Sequence, residues 1–367
     1  MMNIAFFKPF VDESELDLIA KALKDENFIE KLESEVAQYF GVKHVISTNN
    51  ATAAKHLALC AMEIKRGDKI LCPVNSFVST PEVIRYFDAE PIFVDCDKDD
   101  FCLDPNALEH AIKANQSKKL KAVFVTHIAG LSADMDAIRE LCDKYELKII
   151  NDSTLGVKYK DRLIGKDDFI SCFGLQAQSK GAISAAGLII TNDDEIAQKA
   201  KILRSHAMIR KEDLSYIYDV EKIGQRYDLS TLCAAFSLAQ FRKLETIIKA
   251  QQEIAAKYNK FFEKMPHIKI PKASKEHIYS QYIIKIDRNR DNFAKNIIEN
   301  GIEVSLHYIP LHLLSYYRNK YNYKIIDFPN ALGAYSQVLS LPIYPSLKDE
   351  QIDYICSTLR RIACSHV

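Results

Sequence analysis

Short β-branched apolar segments alternate with longer segments of helical periodicity through the first two-thirds of the chain. A short apolar run between turn residues is typical of a buried strand, whereas apolar residues spaced three and four apart are typical of a helix. The pattern predicts strands at 44–47, 69–72, 91–95, 122–127, 148–152, 169–173 and 188–191, and helices at 52–64, 81–87, 105–114, 135–145 and 194–204. This alternation predicts a largely parallel sheet covered by helices, with a ligand site at the carboxyl ends of its strands.

A second unit follows a long helical pattern that begins at Ser230 and ends near Pro266, whose ring cannot continue a helix. Its pattern predicts strands at 278–286 and 303–307 and helices at 291–300 and 348–362. We therefore predict a large α/β domain over residues 1–245, whose first residues are free to pack on the second unit. A connector helix and a small C-terminal α+β domain are predicted over residues 246–367.

Charge and composition narrow the function classes. The chain has 49 Lys and Arg residues against 49 Asp and Glu residues, so a large nucleic-acid-binding surface is not expected. No apolar run approaches the roughly 18 residues that a membrane span needs. The first ten residues lack an export signal, so we expect a cytoplasmic protein without membrane contact. Nine cysteines are scattered singly, and neither a disulfide framework nor a metal site is expected.

One strand-to-helix junction is a candidate anion site. The segment from Thr48 to Leu59 places the amides of Ala51 and Thr52, and the Thr52 hydroxyl, at the predicted start of a helix. A helix N-terminus can hold a phosphate through such groups. Simple helix capping is the alternative interpretation.

Several further motifs occur in a fixed order and resemble a known family. They are GDKILCP (67–73), SFVST (76–80), PIFVD (91–95), THIAG (126–130), ADMD (133–136), IIND (149–152), RSH (204–206), GQRY (224–227), HYIPLH (307–312) and LSLP (339–342). In order and spacing they resemble the DegT/StrS family of pyridoxal-phosphate-dependent sugar aminotransferases, over nearly the whole chain. The resemblance implies a fold-type I aminotransferase. Such a protein has a large domain with a mostly parallel seven-stranded sheet, a small C-terminal domain, and a homodimer with active sites at the subunit interface.

The resemblance also implies roles for individual residues. Asp152 corresponds to the aspartate that keeps the cofactor's pyridinium nitrogen protonated, and Phe77 to the residue that stacks on the ring. Ala51 and Thr52 correspond to the phosphate-binding segment. If the resemblance is set aside, Asp152 is interpreted as an ordinary helix-capping residue and Phe77 as an ordinary core residue.

The catalytic lysine of the family is the main departure. Counting forward from Phe173, or backward from Gly187, places Ser179 at the lysine position and Lys180 one residue later. A serine hydroxyl cannot form a Schiff base with the cofactor. Adjacent side chains of an extended segment point in opposite directions, so Lys180 reaches the site only through a local bulge.

Other departures fall in the same pocket. Gly174 stands where the family has a phosphate-binding serine, and Leu155 where it has a glutamine or histidine that contacts the cofactor. Arg226 replaces an asparagine that reaches the neighbouring subunit's phosphate. If the cofactor is lost, we predict that the buried Asp152 carboxylate needs Arg226, a backbone donor or a proton, and the favoured candidate is Arg226 brought from the partner subunit.

Three C-terminal residues resemble positions near the sugar nucleotide and the dimer partner, namely His307, Tyr308 and His312. A histidine in an aromatic, proline-containing loop is also often a hydrogen-bonded structural residue.

Three functions are compatible with these residues. The favoured one is a lysine-less homologue that binds a nucleotide sugar or related anion without transamination, or that serves as the non-catalytic partner of an active paralogue. Next comes an ordinary aminotransferase in which Lys180 bulges into place, and last a pyridoxamine-phosphate-dependent sugar dehydratase with another proton shuttle. Whether pyridoxal phosphate or pyridoxamine phosphate binds is left open by the sequence.

Overall fold

The computed structural model describes residues 2–24, 27–178, 182–211 and 213–364. Its centre is a seven-stranded sheet with the strand order β1-β9-β8-β5-β4-β2-β3. The strands are β1 (His44–Thr48), β2 (Lys69–Pro73), β3 (Glu90–Val94), β4 (Leu120–Thr126), β5 (Lys148–Ser153), β6 (Lys158–Tyr159), β7 (Arg162–Leu163), β8 (Ile170–Gln178), β9 (Ala182–Thr191), β10 (Met208–Arg210), β11 (Tyr218–Val220), β12 (Ile268–Lys269), β13 (Tyr282–Ile286) and β14 (Val338–Leu341).

The sheet is parallel from β3 to β8 and antiparallel where β9 joins β8 and β1. The helices are α1 (Glu13–Ala22), α2 (Phe28–Phe40), α3 (Ala51–Ala61), α4 (Ser79–Arg85), α5 (Pro105–Asn115), α6 (Met135–Lys144), α7 (Asp194–Arg204), α8 (Thr231–Arg242), α9 (Leu244–Phe262), α10 (Arg290–Glu299), α11 (Ser315–Tyr321), α12 (Pro329–Gln337) and α13 (Asp349–Cys364). The predicted seven-stranded, mostly parallel sheet is confirmed.

Helices begin where their sequences supply a capping side chain. Asn50, Asp104, Asp134 and Asp193 each accept a hydrogen bond from a backbone amide in the first turn of α3, α5, α6 and α7. These short polar side chains satisfy one of the free amides at a helix start. All four helices follow strands or short loops of the central sheet, so the caps fix how each helix leaves it.

Three predicted elements differ from the structure. The long helix from Ser230 is divided into α8 and α9, because Lys243 has non-helical backbone angles (φ −94°, ψ 2°). The strand predicted from 278 begins only at Tyr282, since Tyr279 has a left-handed backbone (φ 50°) that a strand cannot contain. The segment 303–307 is not a strand and is held to β14 by an isolated bridge between Ser305 and Ser340.

A second core forms where α9, α10 and α13 pack on the three-stranded sheet β12-β13-β14. Ile4 is fully buried in this core, and its amide donates to the Gly301 carbonyl at 2.8 Å. The Phe6 amide donates to the Glu303 carboxylate at 2.9 Å. The N-terminal segment therefore crosses to the C-terminal unit before the chain enters α1.

No helix in the part of the chain that the structure describes is both long and apolar enough to cross a bilayer. Within the same residues, no three metal-ligating side chains converge on a point that could hold a metal ion.

Candidate functional site

The N-terminus of α3 forms one end of the site. The Asn50 side chain accepts a hydrogen bond from the Ala53 amide at 2.9 Å, which caps the helix. The amides of Ala51 and Thr52 have no acceptor among the described residues. Free amides and the positive end of the helix dipole favour an anion at this position. The phosphate contact predicted for these two residues stays a prediction.

Strand β9 approaches the start of α3 closely at Gly187. Gly187 pairs with Thr48 of β1 and with Gly174 of β8. A Cβ atom at Gly187 would lie 2.2 Å from the Asn50 carbonyl oxygen, which is far inside van der Waals contact. Only glycine lets the start of α3 approach the sheet this closely.

Gly174 of β8 also lies close to the start of α3. A Cβ atom at Gly174 would lie 3.2 Å from the Ala51 Cβ, tighter than an ordinary contact. The serine that the family resemblance places here would crowd Ala51, and glycine offers no hydroxyl in its place. Leu155 is 3% exposed and belongs to the apolar cluster of β8, β9 and α8, so it contributes no polar group either.

Asp152 lies at the end of β5, where the resemblance places the cofactor-binding aspartate. Its side chain is 19% exposed. One carboxylate oxygen, Oδ2, accepts hydrogen bonds from Lys55 Nζ at 2.8 Å and from Thr80 Oγ1 at 2.9 Å. The other oxygen, Oδ1, has no donor among the described residues.

Lys55 is a residue of the site that the sequence analysis did not identify. It lies on α3, its side chain is 4% exposed, and its ammonium donates to Ser79 Oγ at 2.8 Å, Thr80 Oγ1 at 3.2 Å and Asp152 Oδ2 at 2.8 Å. All three ammonium hydrogens are therefore used. The sequence offers one signal for this role: Lys55 is the single charged residue of a largely apolar helical segment. A lysine in such a segment is expected to be buried, and buried lysines are rare unless they are paired.

Within its own chain, Asp152 is not paired with Arg226; the favoured role of Arg226, brought from a neighbouring subunit, stays a prediction. The counter-ion of Asp152 comes from the same chain and is Lys55. Arg226 is exposed, and its backbone forms an isolated bridge with Ser205. Contact between Arg226 and a neighbouring subunit stays a prediction.

A buried network fixes the strand ends beside Asp152. The Asn151 amide donates to Asp168 at 2.8 Å and to Ser171 at 2.9 Å, which ties β5 to β8. The Ala133 amide donates to His127 Nδ1 at 3.2 Å, so Nε2 carries the hydrogen and donates to Asn151 Oδ1 at 3.1 Å. Burial lowers the pKa of His127, which keeps the ring neutral. The sequence motifs that contain His127 and Asn151 give no local sign of this network.

Two aromatic side chains of the candidate site, Phe77 and Tyr308, contact each other. Phe77 is 56% exposed, and its ring centroid lies 6.2 Å from that of Tyr308. The alternative that Phe77 is core is excluded by this exposure, and its ring is free to stack on a ligand. Burial raises the pKa of Tyr308 and the nearby Asp152 charge adds to this effect, so its hydroxyl stays protonated. The Tyr308 amide donates to Asn75 at 3.3 Å, which links the C-terminal loop to the large domain.

The two predicted histidines have different surroundings. His307 Nδ1 lies 2.7 Å from Ser340 Oγ, its ring stacks on Phe6, and burial lowers its pKa to about 4. His312 is 0% exposed, and its Nε2 donates to the Ile325 carbonyl at 3.1 Å. A ligand cannot contact a side chain that is closed on every side, so the substrate role predicted for His312 is corrected to a structural one.

The residues at the lysine position, Ser179 and Lys180, lie outside the described residues. The strands that lead to them are described: β8 and β9 stay paired as far as Gln178 and Ala182, with a register irregularity at Ala177–Gln178.

A cavity of 220 Å³ lies behind Leu155 and Gly174. Its other walls come from the N-terminal segment 7–10 and from α8 and α9, including Phe236 and Ile248. The wall is largely apolar, with Gln240 and Gln251 among its polar groups. The sequence analysis did not predict this cavity.

Known proteins resemble this chain over most of its length. Residues 12–360 match the model of the DegT/DnrJ/EryC1/StrS aminotransferase family. The chain belongs to this family. The spore coat polysaccharide biosynthesis protein SpsC of Bacillus subtilis is 32% identical over 350 residues, covering 91% of this chain and 89% of SpsC. An uncharacterized protein of Methanocaldococcus jannaschii, MJ1066, is 32% identical over 376 residues, covering 97% of this chain and 96% of MJ1066.

A solved structure of similar fold is the putative sugar aminotransferase Spr1654 from Streptococcus pneumoniae in its PMP form. It has a TM-score of 0.93 and 22% sequence identity, and the match covers 100% of both chains. This likeness confirms the predicted fold-type I aminotransferase fold.

The residues of this DegT-family chain do not fit the cofactor in the way that the family resemblance implies. Phe77 and the α3 amides are available to a ring and a phosphate. In contrast, Asp152 is already paired with an ammonium, Gly174 supplies no hydroxyl, and Leu155 is apolar. Three of the implied contacts, those of Asp152, Gly174 and Leu155, are therefore altered.

Proposed function

We propose that this chain is a non-transaminating DegT-family homologue that acts in sugar or polysaccharide biosynthesis. Its ligand is a nucleotide sugar or a related small anion, bound at the α3 N-terminus and beneath Phe77. It works in the cytoplasm as a homodimer or as the partner of an active paralogue. Neither amino transfer nor a covalently held cofactor is part of this function.

The observation that supports this proposal most is the length of strand β8 beyond the level of Asp152. Cys172 of β8 pairs with Asp152 of β5, so these two residues lie at the same level of the sheet. Strand β8 then continues for six further residues to Gln178, which still pairs with Ala182. At about 3.3 Å per residue, Gln178 lies on the order of 20 Å along the strand from the level of Asp152. The last described residue of β8 therefore lies far along the strand from the level of the carboxylate that marks the cofactor position.

The relatives support the pathway class. SpsC is named as a spore coat polysaccharide biosynthesis protein. Spr1654 was solved in PMP and PLP forms, so this fold holds such a cofactor in that protein. The altered contacts at Gly174 and Leu155 favour a different ligand in this chain.

One observation favours the second candidate, an active aminotransferase that uses Lys180. Lys180 needs a bulge in the strand to turn towards the site. The register irregularity at Ala177–Gln178 is typical of such a bulge. We rank this candidate second because the strands pair again beyond the irregularity.

Covalent trapping separates the two candidates. We expect no pyridoxyl group on Lys180 after incubation of the protein with pyridoxal phosphate and reduction with borohydride. The physical reason is the length of β8, whose last described residue, Gln178, is six residues beyond the level of Asp152. Peptide mapping by mass spectrometry is the measurement, and an absorbance spectrum before reduction reports any visible band.

The matched variant for this experiment is Lys180→Ala. If the wild type acquires a stoichiometric, borohydride-stable pyridoxyl group on Lys180 and the variant does not, the chain is an active-site lysine enzyme and the proposal is wrong. Scattered, substoichiometric labelling that is equal in both proteins counts as surface chemistry and leaves the proposal standing.

The proposed dimer has support on the surface of the β10–β11 hairpin. Tyr216 and Ile223 are 75% and 87% exposed, and Ile209, Tyr218 and Val220 are also exposed. Apolar side chains clustered on a projecting hairpin are typical of an interaction surface. The base of the hairpin is closed by the Ser205–Arg226 bridge, so this surface and Arg226 are continuous.

We expect light scattering to give twice the chain mass at micromolar concentration. The double variant Tyr216→Asp/Ile223→Asp should be monomeric, because two carboxylates would have to be buried without partners. Ile298→Asp on α10, which is 56% exposed in the wild type, is the control and should stay dimeric. A monomeric wild type, or a double variant that remains dimeric, would contradict the prediction.

A further inference from the structure

The Lys55–Asp152 pair is an ion pair built into the bottom of the candidate site. Lys55 is 4% exposed and Asp152 is 19% exposed, so neither charge is well screened by water. Thr80 donates to the same carboxylate oxygen as Lys55, and Ser79 accepts from the ammonium. The pair is held by two hydroxyl groups of α4, Ser79 and Thr80.

This arrangement changes what Asp152 can recognise. An unpaired carboxylate favours a ligand with a positive charge, and it raises the proton affinity of a ring nitrogen beside it. A carboxylate already neutralised by an ammonium at 2.8 Å offers only hydrogen-bonding capacity at its free oxygen, Oδ1. A protonated ring nitrogen placed at Oδ1 would also lie within a few ångström of a second positive charge, and like charges in a poorly screened site repel.

We propose that Lys55 determines ligand specificity: its ammonium takes the place of the protonated ring nitrogen as the counter-ion of Asp152. The pocket therefore accepts a neutral ring or sugar in preference to a protonated pyridine. This inference deepens the proposed function and rests on it for the location of the ligand. Lys55 is not at the position of the family's catalytic lysine. By this inference, its charge is the reason why a cofactor of the pyridoxal type is disfavoured.

The packing around Lys55 supports a fixed role for this side chain. Its neighbours on α3, Ala54, Leu57 and Ala58, are each 0% exposed, so the helix cannot rotate to release the ammonium. Three acceptors surround it, and leaving the pair would leave Asp152 without its counter-ion in a site with little water. The ammonium is thus a permanent part of the pocket.

A pair of probes tests the inference without covalent chemistry. Pyridoxamine 5′-phosphate has a ring nitrogen that can be protonated, and its 1-deaza analogue has a carbon at that position. Neither has an aldehyde, so neither can form a Schiff base with any lysine. Isothermal titration gives the affinity of each probe for the wild type, Lys55→Met and the charge-conserving control Lys55→Arg.

We expect the wild type and Lys55→Arg to bind the two probes with similar affinities. Lys55→Met should bind pyridoxamine phosphate at least about tenfold more tightly than the deaza analogue, because the free carboxylate then pairs with the ring nitrogen. A wild type that prefers pyridoxamine phosphate by tenfold overturns the inference, and so does a Lys55→Met protein that binds neither probe or both equally.

The test gives a result even if the Lys55→Met variant does not fold, and its result does not depend on Lys180. If Lys55→Met does not fold, as judged by circular dichroism, the ratio of the two affinities in the wild type still decides, since the inference requires that ratio to be near one and requires detectable binding. The outcome is also independent of Lys180. A pyridoxyl adduct on Lys180 together with the expected probe ratios would refute the proposed function and leave the role of Lys55 intact.

Discussion

A methyl group added at Gly187 is expected to lower the free energy of unfolding by about 3 kcal/mol or more. The new Cβ would lie 2.2 Å from the Asn50 carbonyl oxygen and 2.5 Å from its carbonyl carbon. These are backbone atoms at the start of α3, so the clash cannot be relieved by a side-chain rotation. Relief requires α3 to move away from β9, and this movement would open the sheet at the Thr48–Gly187 pair.

Urea unfolding of Gly187→Ala and Gly333→Ala measures this effect against a matched control. Gly333 lies within α12, and a Cβ atom there meets nothing within 4 Å. Alanine at this helical position should stabilise the protein by roughly 0.5–1 kcal/mol. The contact argument is refuted if both variants have the stability of the wild type, or if Gly187→Ala is the more stable of the two.

Breaking the Lys55–Asp152 pair is expected to have the second large effect. Lys55→Met should lower the free energy of unfolding by about 3–5 kcal/mol, because it leaves a largely buried carboxylate without its counter-ion. The double variant Lys55→Met/Asp152→Asn should recover most of this loss. Removing both charges from a buried pair is often close to neutral, whereas removing one of them is not.

An exposed pair provides the comparison for this cycle. Lys43 and Asp194 lie 3.2 Å apart, but their side chains are 59% and 73% exposed. Lys43→Met should change the unfolding free energy by less than about 1 kcal/mol, since water screens such pairs. Equal effects of Lys43→Met and Lys55→Met would show that burial does not strengthen the Lys55–Asp152 pair.

The sequence carried the local and periodic information. The strand predicted at 122–127 is observed as β4, and the helix predicted at 194–204 is observed as α7 with the same bounds. Such elements have a strong apolar period, and α7 begins at a capping aspartate, Asp193. The ordered motifs were sufficient to identify the family, because each motif is local in the chain. The same motifs identified Asp152 and Phe77 as residues of the site.

The tertiary structure decided which charges meet. Lys55 and Asp152 are 97 residues apart in the chain, and no local pattern links them. They meet because α3 packs on β8 and β9, and β8 lies next to β5 in the sheet, a consequence of strand order rather than of strand sequence. Arg226 was the sequence-based candidate for the same role, but the partner that Asp152 has within its own chain is Lys55, which only the packing reveals.

Burial was likewise set by packing. His312 lies in a motif typical of ligand-binding loops, but the Phe328 ring and the Ile325 carbonyl cover it. The pairing of β8 with β9 out to Gln178 extends five residues beyond the predicted end of the strand at 173, because a partner strand satisfies its backbone groups. The sequence alone thus determined the fold family and where most elements lie. Long-range pairing of strands and side chains, which no local period encodes, decided the counter-ion of Asp152 and the shape of its pocket.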